Sequence, residues 1–188
     1  LQGDWSSDVC SSDLILDLAK TQDQLTAASE FLASVSSAGK NILLVGTKPE
    51  IKRIVDEHIN NLGLPFVTKR WVGGTLTNFK QIRARVDMME DLQEKKEAGA
   101  LVYRTKKELL LIDRKIEKLD RNFGGLRLLK ELPGAVVVVD PKKEHLAVAE
   151  ARTLGIPVVA IANTDCDVSI IDFPVMANDA TFDSVAIT

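Results

Sequence analysis

Two cysteines in 188 residues, Cys10 and Cys166, cannot build a disulfide framework or a four-ligand zinc site. The two histidines, His58 and His145, have no cysteine at metal-ligand spacing. No apolar run approaches the ~20 residues that cross a bilayer, and no signal-peptide pattern is present. Neither sign of charge dominates: 24 basic residues stand against 27 acidic ones, for a net −3. Catalytic signatures are missing too. There is no GxxxxGK[ST] phosphate loop, no GxGxxG after a strand, no GxSxG elbow and no HExxH. These absences leave a soluble, cytosolic, globular chain with no expected metal, cofactor, catalytic residue, membrane contact or small-molecule substrate.

What is present supports a packed domain. The chain is 45% hydrophobic, enough for a real core, and its length suits one domain or one domain with an insertion. The opening stretch 1–14, LQGDWSSDVCSSDL, has neither helical nor strand periodicity and reads as a non-native leader, like translated linker sequence. Without its three aspartates the balance is 24 against 24. That neutrality is uneven. Lys48 to Arg85 carries eight basic and three acidic residues, and Arg104 to Lys130 carries nine and four. From Glu131 onward there are three basic and nine acidic residues. Such polarity fits a molecule with one face toward a polyanion.

Apolar periodicity gives the elements. Ile15 to Gly39 reads as an amphipathic helix, with Thr21 and Gln24 as a capping box. Asn41 to Gly46 is a strand buried on both faces. Pro49 opens a helix whose stripe is Ile51, Ile54, Val55, His58, Ile59 and Leu62, ended by Gly63. Strands follow at Leu64–Thr68, Ala135–Asp140, Pro157–Ala162 and Ile170–Val175, with a helix from Lys142 to Leu154 and a last one capped by Asp179. Strands alternating with helices imply an α/β class, a three-layer sandwich on a parallel sheet. Between the second and third strands, Lys80–Glu97 and Thr105–Phe123 are two charged helices. The seam Leu109, Ile112, Ile116, Leu119, Phe123 matches the stripe Ile82, Val86, Met89, Leu92. They read as an inserted antiparallel hairpin over 80–123, in a sandwich made of 15–79 and 124–188.

Chemistry-bearing residues concentrate in Lys69-Arg-Trp-Val-Gly-Gly-Thr-Leu-Thr-Asn-Phe-Lys80. Its cations can neutralise phosphates, and amides freed by Gly73-Gly74 can donate to phosphate oxygens. Trp71 or Phe79 either stacks on a base or is buried under the hairpin root, and burial is the simpler reading. Asp140, Asp165, Asp167, Asp172 and Asp179 are expected at the C-terminal edge of the sheet, where Mg²⁺ binds in some α/β folds; capping and turn roles account for most of them. Cys166, flanked by carboxylates, is expected to have a raised thiol pKa.

Val45-Gly-Thr-Lys48, Arg70-Trp-Val-Gly-Gly-Thr-Leu-Thr-Asn-Phe79, Asp140 to His145 (DPKKEH) and Leu154 to Ala162 resemble the signature of the bacterial small-subunit ribosomal protein family numbered two. Asp17 to Thr21 resembles that family's entry into its first helix, and the likeness runs from Ile15 to Thr188. The resemblance implies a flavodoxin-like fold with an inserted helical hairpin. It implies a non-enzymatic part of the small ribosomal subunit that contacts ribosomal RNA and neighbouring proteins, including the large mRNA-binding one. By analogy the RNA contacts are Lys48, Lys69, Arg70, Asn78, Lys80, Arg83 and Arg85, with Lys106, Lys107, Arg114, Lys115 and Arg121 as weaker candidates. The chain departs from the family where its basic, aromatic opening segment is replaced by 1–14. It departs again at Val168 and Ala177, where Pro and Gly are expected, and in a shortened C-terminal helix, so it reads as a gene fragment. Two other functions remain open on the residues alone: a nucleotide- or Mg-binding enzyme on the same fold, or a protein-interaction adaptor using the hairpin as a knob.

Overall fold

The computed structural model describes residues 16–54, 62–99 and 106–178, without the side chains of Glu50, Ile54 and Lys106. In chain order the elements are α1 (Leu18–Ser37), β1 (Ile42–Val45), α2 (Pro49–Ile54), β2 (Phe66–Val67), α3 (Phe79–Glu97), α4 (Lys106–Phe123), β3 (Ala135–Val139), α5 (His145–Thr153), β4 (Val158–Ala162) and β5 (Phe173–Met176). The five strands form one all-parallel sheet in the order β2-β1-β3-β4-β5. This is the doubly wound arrangement of flavodoxin-like folds.

Residue alternation assigns the two faces. Leu43, Val45, Val136, Val138, Val158 and Ala160 point to one side and meet Ala147, Val148 and Ala151 of α5. On the other side Val137, Val159, Phe173 and Val175 pack against Ala28, Phe31 and Leu32 of α1, and Val139 packs against Ile51 of α2. The Phe31 and Phe173 rings stack with centroids 4.3 Å apart. The main core does not stop at the sandwich: Ile82, Val86 and Met89 of α3 and Phe123 of α4 belong to it. α3 and α4 pack on each other, and Lys96 of one pairs with Asp113 of the other at 2.8 Å. Of the expected seam, Ile116 and Phe123 are buried and Leu109, Ile112 and Leu119 half-buried, while their neighbours Leu110 and Leu111 lie exposed.

Several boundaries differ from the sequence expectation, each for a local reason. α1 is capped by Asp17, whose Oδ1 accepts the Ala19 N–H at 3.1 Å, so Thr21 and Gln24 are not a capping box. Instead the Thr21 hydroxyl donates to the Met176 carbonyl at 2.6 Å and Gln24 Oε1 accepts the Met176 N–H at 2.9 Å, tying α1 to β5. α5 starts at His145 rather than Lys142, because Asp140 adopts φ +64° and its carbonyl accepts the Lys143 and Glu144 N–H groups in a turn. β5 begins three residues late: Val168–Ile170 is a 3-10 turn capped by Asp167, which fixes the place where a proline was expected. Ala177 needs no glycine conformation. Its N–H donates to the Ala162 carbonyl, continuing the ladder. Leu62 is exposed rather than part of an apolar stripe; Val55, His58, Ile59, Asp179 and residues 1–14 lie outside the described residues.

Candidate nucleic-acid interface

The stretch Trp71–Asn78 is held by one carboxylate. Gly74, at φ +89°, turns the chain so that Asn78 N–H donates back to its carbonyl at 2.8 Å, and Thr75 closes a turn on Val72. A Cβ at position 74 would lie 3.3 Å from that of Asn78, so glycine suits both the conformation and the space. Inside this turn sits Glu150 of α5. Its Oε1 accepts from Trp71 Nε1 at 3.0 Å and from the Gly74 N–H at 2.8 Å. Its Oε2 accepts from the Leu76 and Thr77 N–H groups at 3.0 and 3.1 Å and from the Thr77 hydroxyl at 3.2 Å. Burial opposes ionisation of Glu150, but the donors from Trp71, Gly74, Thr77 and Leu76 together outweigh it and hold the carboxyl below its ordinary range.

This geometry corrects one expectation and bears out the burial expected of the two aromatics. The amides near Gly73-Gly74 do not await a phosphate, because those of Gly74, Leu76 and Thr77 already serve the Glu150 carboxylate. Trp71 is buried at 6% exposure and hydrogen-bonded, so it does not stack on a base. Phe79 is half-buried against the core. What the turn exposes is polar and cationic: Lys69, Arg70, Asn78 and Lys80, followed by Arg85 on α3. Asn78 occupies the N-cap position of α3 without capping it through its side chain.

The remaining candidates divide. Arg83 is turned inward. Its guanidinium bonds Asp87 and Glu90 and donates to the Arg127 carbonyl at 2.9 Å, fastening α3 to the segment that leaves α4. Arg83 thus serves as an internal brace. Lys48 pairs with Asp140 at 3.0 Å, with both side chains mostly covered. Lys107, Arg114, Lys115 and Arg121 are exposed on α4, and the Lys106 side chain lies outside the described residues.

The carboxylates are likewise dispersed. Asp172 accepts the Val158 N–H at 2.8 Å, which places it at the N-terminal edge of the sheet, opposite to the expectation. Asp165 pairs with Lys142 at 2.8 Å; that ammonium lowers the carboxyl, and the carboxylate in turn raises Lys142. Cys166 is raised first by burial, with the Asp165 charge adding to it, so the expected direction holds with a different leading cause. Among the described residues no His, Cys, Asp and Glu group could hold a metal ion. At the C-terminal ends of β1 and β3, where ligands bind in this fold class, several polar groups are paired within the chain. Lys48 meets Asp140 there, and the buried Glu144 accepts both the amide and the hydroxyl of Thr47.

Sequence reasoning missed Glu150 and Glu144. The available signal was a glutamate on each side of the small apolar face Ala147, Val148, Ala151, a position where a solvated acid is not needed.

A parallel, doubly wound sandwich with an exposed basic turn beside it defines a flavodoxin-like α/β domain. Residues 10–188 match the model of the family described as Ribosomal protein S2. The chain belongs to that family. It is 40% identical over 173 residues to the small ribosomal subunit protein uS2 of Mycobacteroides abscessus and to that of Mycolicibacterium gilvum, in each case over 92% of this chain and 62% of the relative. Against uS2 of Rhodococcus opacus the identity is 42%, over 92% of this chain and 60% of the relative. The chain thus spans about three-fifths of the length of these relatives. No described helix is long and apolar enough to cross a membrane.

Proposed function

We propose that this chain is a non-enzymatic structural constituent of the small ribosomal subunit in the cytoplasm, binding small-subunit ribosomal RNA and neighbouring ribosomal proteins. The large mRNA-binding protein of the subunit is among those neighbours in this reading. The observation that carries it is the Glu150-fixed turn presenting Lys69, Arg70, Asn78 and Lys80 at one edge, in a chain whose relatives are small-subunit proteins. A rigid, exposed set of cations meets a folded polyanion with little ordering cost. Arg85 and the α4 cations Lys107, Arg114, Lys115 and Arg121 extend the same surface. In this reading 80–123 is an arm inserted into the sandwich formed by 15–79 and 124–188, and its two helices act as one lever because Lys96 and Asp113 join them.

The test is co-sedimentation of the full chain with small ribosomal subunits depleted of their own copy, at graded salt. Stoichiometric recovery at low salt that falls as salt rises supports the proposal. Absence from the subunit fraction at every salt concentration refutes it.

A further inference from the structure

Two cavities meet at Lys69. One, of about 360 Å³, lies between β2 and the end of α4 and is lined by Lys52, Lys69, Arg121 and Arg127. The other, of about 200 Å³, opens above β1 and is lined by Lys69, Arg70 and Lys143. Each has a single carboxylate in its wall, and each carboxylate is already engaged. Asp120 pairs with Arg127 at 2.6 Å, while Glu144 is 4% exposed and accepts from Thr47. The first cavity exists because α4 can end against the sheet. A Cβ at Gly125 would sit 2.2 Å from the Phe66 carbonyl oxygen, so only glycine permits that approach.

We propose that these two cavities form one continuous phosphate track that holds an RNA backbone without reading its bases. The proposal rests on the ribosomal reading above and deepens it, adding Lys52 and Lys143 to the contact set. Three features argue for backbone rather than base recognition. The walls are cationic, the nearest indole is buried and bonded to Glu150, and no aromatic face among the lining residues is offered for stacking beyond Phe66, which is half-buried. Lys52 of α2 and Arg121 of α4 line the first cavity, Arg70 and Lys143 line the second, and Lys69 lines both, so one strand can contact both cavities.

The test uses the full chain and a fluorescein-labelled single-stranded RNA, with the wild type, the double variant Lys52→Ala/Lys143→Ala and the control Lys95→Ala. Lys95 pairs with Asp91 on the exposed arm and takes no part in the track. The double variant is expected to lower the salt slope of log K by about 1.4, two contacts at ~0.7 each, and scrambling the RNA sequence is expected to change affinity less than twofold. An unchanged slope, a tenfold sequence preference, or displacement of the RNA by equimolar inorganic pyrophosphate overturns the proposal. Circular dichroism confirms that the variants fold, and the two substitutions are at exposed positions. Co-sedimentation with small subunits separates the two claims. If wild type and variant sediment alike and share one slope, the track fails and the ribosomal reading stands. If the wild type never sediments but the track binds RNA with the predicted slope, the ribosomal reading fails alone.

Discussion

Replacing Glu150 by Gln tests whether one carboxylate organises the basic turn. The amide keeps one acceptor oxygen and puts an NH₂ where the other stood. If the NH₂ replaces Oε1, the donors of Trp71 and Gly74 lose their partner; if it replaces Oε2, those of Leu76 and Thr77 do. Trp71 is 6% and Leu76 1% exposed, so water cannot readily take over at either, whereas Thr77 is exposed and can be hydrated. Each buried unpaired donor costs about 1–3 kcal/mol, and loss of the charge weakens the bonds that remain, so a total of about 2–4 kcal/mol is expected. That is a large share of the ~5–15 kcal/mol that holds a domain together. With a urea m-value near 2 kcal/mol/M, the unfolding midpoint should drop by about 1–2 M. In a Trp5→Phe background Trp71 is the sole indole, and its emission should shift to the red as the turn loosens. A variant as stable as the parent with unchanged emission would show that Glu150 does not hold the turn.

The same carboxylate makes stability depend on pH. Its folded pKa lies below that of the unfolded chain, so its contribution is full above the carboxylate range and is lost as pH falls through and below it; the urea midpoint of Glu150→Gln should vary less with pH there than that of the wild type. Gly125→Ala places a methyl against the Phe66 carbonyl and ring, at 2.2 and 2.7 Å, and should lower the thermal midpoint by an amount equivalent to about 2 kcal/mol or more. An unchanged melting temperature would mean that α4 does not end where described. Arg83→Ala should cost about 2–3 kcal/mol in a denaturant titration, because the Arg127 carbonyl and the Glu90 carboxylate lose their donor, whereas a loss of RNA affinity at unchanged stability would return Arg83 to the contact surface.

The parallel sheet was legible because its central strands, Ile42–Val45, Ala135–Val139 and Val158–Ala162, are continuous apolar runs bounded by turn residues. Edges were less legible. β2 shrinks to Phe66–Val67 beside Pro65, which has no N–H to give, and β5 shifts because the capped turn at Val168–Ile170 consumes the residues that alternation assigned to it. The error at Thr21 and Gln24 has the same origin. Their spacing satisfies a capping box equally well whether the partners are the helix's own amides or the backbone of Met176, and only the tertiary fold decides. At the site, residue types identified the turn but not its inner support. Gly73-Gly74 beside cations fits a phosphate cradle, and an internal glutamate 76 positions away from Gly74 fills it instead. Arg83 and Arg85 look alike in sequence, and two residues apart on a helix they fall on opposite duties: one braces α3 to the carbonyls of Arg127 and Leu129, the other faces solvent.

The salt dependence of binding to small-subunit ribosomal RNA tests the whole picture most directly. Measured for the full chain and for Arg70→Ala/Lys80→Ala, the slope of log K against log salt should become shallower by about 1.4–1.8, as two phosphate contacts vanish. Binding of undiminished strength and slope in that double variant would contradict it, since the cations held out by the Glu150-bound turn would then not touch the RNA.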